Sequence, residues 1–125
     1  MEALAVDAGD LLTLRVVKPK PGFGRQGLWL ATRGRLRIDD DPAPQFLLWA
    51  DRVPDEVVIR VDHTDGLVRF CNVFDSIASQ LYGGGMLRQD ASDGWIEYVC
   101  NNMGLEDTYE KLVFRVRIPA GPERR

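Results

Sequence analysis

Leu112–Ile118 reads LVFRVRI, and its alternation constrains the fold more than any other feature. Leu112, Phe114, Val116 and Ile118 fall on one face of an extended chain, and Val113, Arg115 and Arg117 on the other. Three further segments alternate in the same way. Leu12, Leu14 and Val16 oppose Thr13, Arg15 and Val17; Val57, Ile59 and Val61 oppose Val58, Arg60 and Asp62. In LWLATRGRLRI, Leu28, Leu30, Leu36 and Ile38 share one parity, and Arg33, Arg35 and Arg37 the other. Such period-two stripes describe strands with one dry face and one wet face, which is the habit of antiparallel sheets.

Turn chemistry separates these segments: KPKPGFGRQG, DDDPAP, DRVPDE, DHTDG, YGGGM, DASDG and NNMG. The pattern predicts eight strands, near 11–18, 27–38, 45–49, 56–62, 67–74, 85–88, 94–100 and 111–118. No segment of about ten residues has helical periodicity. DSIASQLY, capped by Asp75 or Ser76, and LEDTYEKL are each expected to form a helical turn at most. Parallel pairing would need crossover helices that the chain lacks. The expected fold is therefore all-β, an antiparallel β-sandwich, with a closed β-barrel as the alternative. A chain of 125 residues forms a single β domain, 1–125, with loose ends expected near 1–10 and 120–125. The prolines of KPKPGFG and DPAP read as protection of sheet edges, which speaks against open-ended assembly and leaves a closed homodimer open.

The formal net charge is −3, which disfavours nucleic acid as a partner. No apolar run is long enough to cross a membrane, and MEALAVDAGD lacks a basic leader, so a cytoplasmic location is the expectation. Cys71 and Cys100 form no C-x-x-C pair or Cys/His cluster, so a structural zinc site is not expected, and nothing calls for a cofactor.

Two motifs invite a functional reading. GFGRQG, Gly22–Gly27, spells G-x-G-x-x-G, but it opens onto a strand, so no helix N-terminus faces a pyrophosphate. It reads as a hairpin loop. DHTDG at Asp62–Gly66 and DASDG at Asp90–Gly94 form a pair, and the segments after them are also alike. Asp-Gly before an alternating segment predicts two hairpin turns. Oxygen-rich loops bind Ca²⁺ in C2-like sandwiches. If this chain did so, the candidate ligands would be Asn72, Asp75, Asn101 and Asn102.

His63 is the sole histidine and continues the parity of Val57, Ile59 and Val61. Were the chain a small cofactor-independent enzyme of the cyclase or isomerase type, His63 would be the base, with Asp62 or Asp65 to orient it. No nucleophile motif accompanies it. The alternative is a non-catalytic binding or accessory module for a protein, a sugar or an anionic ligand. Its candidate contacts are Trp95 and Tyr98 as an aromatic wall, and Arg33, Arg35 and Arg37 as anion partners. Arg15, Arg60, Arg69, Arg115 and Arg117 also fall on outward parities, and their effect depends on whether these strands share a sheet. LYGGGML is a candidate lid.

Overall fold

The structure, a computed structural model, describes residues 2–17, 24–75, 77–78, 86–90, 94–101 and 112–118. They form ten strands: β1 (Glu2–Ala5), β2 (Leu11–Val17), β3 (Gln26–Ile38), β4 (Asp41–Trp49), β5 (Val57–His63), β6 (Leu67–Phe74), β7 (Ile77–Ala78), β8 (Met86–Asp90), β9 (Ile96–Cys100) and β10 (Leu112–Arg117). The strands run in the order β1-β6-β3-β5-β2-β10-β9-β8, with β4 added to β3 and β7 to β6. Every pairing is antiparallel. The all-β antiparallel expectation holds, and the sheet curls until it nearly closes as a barrel.

The curl comes from one corner. β3 is long enough to pair with two successive strands, with β6 along Gln26–Thr32 and with β5 along Arg35–Ile38. β5 and β6 therefore follow one another along β3 as two limbs of a bent strand, and Thr64–Gly66 joins them at the bend. Gly34 lies opposite, with φ +150; a Cβ there would sit 2.2 Å from the carbonyl oxygen of His63. Only glycine lets the two backbones approach so closely. Thr32 secures the corner from inside, its hydroxyl 2.7 Å from that of Thr64 and donating to the Leu67 carbonyl at 2.8 Å. β1 and β2 round the same bend, tied by Val6 N–H to Gly66 O and by Val61 N–H to Asp10 O.

The bend brings β6 over β9 and β10. Phe70, Tyr98 and Phe114 meet there, with ring centroids 5.0 Å apart for Tyr98–Phe114 and 5.8 Å for Phe70–Phe114. All three are fully buried, as are Leu12, Leu14, Leu28, Leu30, Leu36, Ile59, Val61, Leu112 and Val116, or nearly so. The inward stripes read from the alternation are thus the core. Beyond the rings, Asn72 donates its amide to the Asn101 carbonyl at 2.8 Å, which links the two layers at one end.

Four sequence expectations change. The segment expected as a loose N-terminal end contains β1, whose Leu4 is buried, followed by buried Val6. The DPAP stretch expected as a turn is the start of β4; β4 pairs only with β3, and an edge strand tolerates Pro42 and Pro44. Ile77–Ala78, expected within a helical turn, is the short strand β7. DHTDG is no hairpin turn, since β5 and β6 pair with β3 and not with each other. Residues 105–111 of LEDTYEKL, the polar end near 120–125 and most of KPKPGFG lie outside the described residues, as do residues 81–85 of LYGGGML.

Candidate functional site

The C-terminal half of β3 and strands β5, β2, β10 and β9 are consecutive neighbours, so their outward side chains form one face. The registers give its rows. Arg37 lies beside Arg60 and Arg60 beside Leu11; Val58 lies beside Thr13 and Thr13 beside Arg117; Arg15 lies beside Arg115 and Arg115 beside Glu97. The arginine-bearing strands therefore do share one sheet. From Arg60 to Arg115 the face spans roughly 17 Å, taking about 3.4 Å per residue and about 4.8 Å per strand. Exposed Leu11 and Val58 form an apolar floor between its two charged ends.

One end is built on Asp62. Residue 35 pairs with 63 and residue 36 with 61, so Asp62 is the extra residue of a bulge in β5. The bulge leaves the Asp62 carboxylate among three guanidinium groups. Arg37 Nε donates to it at 2.9 Å and Arg35 Nε at 3.2 Å, and Arg60 Nε stands 3.3 Å away. Partial desolvation pulls the Asp62 pKa up. The hydrogen bond from Arg37 and the charges of Arg37, Arg35 and Arg60 outweigh this and hold it below the usual carboxylate range.

The other end is built on Trp95. The guanidinium groups of Arg15 and Arg117 lie 4.5 and 4.7 Å from its ring centroid. Arg15 also pairs with Glu56 at 2.9 Å, and Arg115 with Glu97 at 2.7 Å. Among the described residues, the face thus carries six guanidinium groups, of Arg15, Arg35, Arg37, Arg60, Arg115 and Arg117, against the carboxylates of Asp62, Glu56 and Glu97. At its border a groove of about 490 Å³ opens beside Val58 and Glu56, lined also by Leu47, Trp49, Arg52 and Val53.

Of the residues picked out for ligand contact, Arg35 and Arg37 come together. Arg33 is exposed at the bend, and no contact joins it to the Asp62 cluster. Trp95 is on the face, but arginines occupy its ring. Tyr98 is fully buried against Phe114 and faces no ligand. Arg60, Arg15 and Arg117 were legible as outward residues; their convergence on Asp62 and Trp95 has no local sequence signal, because it depends on which strands pair.

The enzyme constellation does not assemble. The bulge turns His63 outward, so it is exposed instead of lining the core. Asp62 is taken by arginines, and Asp65 accepts from Arg69 at 2.9 Å. The groove does not include His63. Cys71 and Cys100 are both buried free thiols, and burial pushes the Cys100 thiol far above its ordinary pKa. Asn72 and Asn101 meet, but through the hydrogen bond described. Asp75, with φ +48, turns its carboxylate to the Arg25 amide at 2.9 Å. Asn102 lies outside the described residues. Among the described residues no three His, Cys, Asp or Glu side chains cluster as metal ligands. Also among them, no helix is long and apolar enough to cross a membrane.

No protein family's profile matches this chain, and no curated protein is similar to it in sequence. The fold has a relative among solved structures. A lectin of Chromobacterium violaceum, solved in complex with alpha-methyl-fucoside, superposes with a TM-score of 0.52. The alignment covers 95% of this chain and 96% of the lectin at 13% identity, so the likeness is one of fold.

Proposed function

We propose that this chain is a non-catalytic binding module that recognises an acidic carbohydrate on the outer face of β3, β5, β2 and β10. The observation that carries the reading is that, among the described residues, six guanidinium groups stand against three carboxylates on one continuous face of a protein whose net charge is −3. Charge of that sign, gathered against the overall balance, suits an anionic ligand. The shared fold with a lectin supports a sugar as the bearer of the negative groups. The exposed floor of Leu11 and Val58 suits the apolar flanks of a sugar chain lying across the strands.

The test is binding of the full chain to immobilised polysaccharides of different charge: dextran, polygalacturonate and dextran sulfate. Binding to one or both acidic polymers, weakening as salt rises, supports the reading. Binding to dextran alone, or to none of the three, overturns it.

A further inference from the structure

The arginines around Asp62 are arranged in a way that mere charge excess does not require. All three reach the carboxylate through Nε. Among the described residues, nothing accepts a hydrogen bond from their Nη groups. One carboxylate thus gathers three planar forks by their inner edges and leaves the outer donors open. The side chains of Arg35, Arg37 and Arg60 are 45%, 32% and 63% exposed, whereas that of Asp62 is 9% exposed. The carboxylate lies beneath, and the guanidinium groups form the surface.

We infer that Arg35, Arg37 and Arg60, gathered by Asp62, form a cradle for a tetrahedral oxyanion ester, a sulfate or phosphate group carried by the ligand. This rests on the reading of the face as an acidic-carbohydrate site and names the acidic group. Three open donor pairs, held around one carboxylate, can serve three terminal oxygens around one central atom. A carboxylate offers two coplanar oxygens and is satisfied by a single fork. Three positive charges over one negative leave an excess of two, which a sulfate or phosphate ester neutralises in part or in full. Asp62 is a positioning residue: it touches the arginines, and they touch the ligand.

The deciding quantity is selectivity between dextran sulfate and polygalacturonate at equal ionic strength. The wild-type chain is expected to bind dextran sulfate at least about tenfold more tightly. Arg37→Lys keeps the charge and loses the fork, so both polymers should still bind and the preference should collapse. Asp62→Asn removes one negative charge and releases the forks, so binding to both polymers should rise while the preference narrows. Arg88→Lys, on β8 and outside the face, should leave the preference intact. Inorganic phosphate and sulfate, added as competitors at matched ionic strength, distinguish a phosphate ester from a sulfate ester by which displaces dextran sulfate better. Equal binding of the two polymers, a preference untouched by Arg37→Lys, or one sharpened by Asp62→Asn would overturn the cradle and leave the acidic-carbohydrate reading standing. Failure of both polymers to bind would remove that reading as well.

Discussion

The two Asp-Gly elements, DHTDG and DASDG, share a sequence pattern and end in different structures. β8 and β9, on either side of the second, pair with each other, Asp90 opposite Ile96, so the chain reverses there. β5 and β6, on either side of the first, pair in succession with β3, so the chain bends and continues. Both glycines take positive φ, +103 at Gly66 and +78 at Gly94. The local chemistry of the two is alike, and what differs is the third strand. Among the described residues, the first element faces a glycine in a neighbouring strand close enough to let two backbones touch, and there the sheet turns a corner.

The largest effect should therefore come from a residue outside both elements. Gly34→Ala places a Cβ into the His63 carbonyl, where backbone must give way, and imposes an unfavourable φ. The expected loss is about 3 kcal/mol of unfolding free energy, read from urea denaturation. Because Arg35 and the Asp62 bulge adjoin the corner, the sulfate preference should fall along with stability. A loss below about 0.5 kcal/mol would mean that the corner is not fixed by this close approach.

The second test is a matched pair. Gly66→Ala and Gly94→Ala each force alanine into a left-handed conformation, while among the described residues a Cβ at Gly66 meets nothing within 4 Å and one at Gly94 touches the Arg117 side chain at 4.0 Å. Each should cost about 1 kcal/mol, measured by the same urea denaturation. Near equality would show that the two turns make the same local demand. A much greater cost at Gly66 would place part of the bend's instruction in the Asp-Gly element itself.

The same division explains what the sequence disclosed. The inward stripes were legible because burial follows parity, and Leu12, Leu14, Ile59, Val61, Phe114 and Val116 needed no knowledge of their neighbours. So were the outward arginines. β1 was not, because EALA has little strand character and Leu4 is held by pairing with β6, which lies more than sixty residues away in the sequence. β4 was cut short because Pro42 reads as a breaker unless the strand is known to be an edge. Alternation places His63 inward, and no residue type announces the bulge that turns it out. Arg35 and Arg37 were named for the site, while Asp62 was valued as a partner of His63; its role among arginines follows only from the β3–β5 register.

The smallest effect concerns the acids of the first element, and it separates charge from architecture. Asp62 and Asp65 both have pKa values held below the ordinary carboxylate range. For Asp62, desolvation is overcome by Arg37, Arg35 and Arg60. For Asp65, the hydrogen bond from Arg69 leads, against partial desolvation. A carboxylate with a depressed folded-state pKa contributes stability that is present above its unfolded value, near pH 4. As pH falls, that contribution is lost progressively through the folded value. The wild-type unfolding midpoint should therefore fall more between about pH 4.5 and 2.5 than that of the Asp62→Asn/Asp65→Asn double variant. Between about pH 6 and 8 the difference between the two proteins should be constant. Arg69→Gln should remove only the Asp65 share of the acid sensitivity. If the double variant lost stability as steeply as the wild type, the acid response would belong to other carboxylates, and the ion pairs of the bend would serve to orient arginines without supporting the fold.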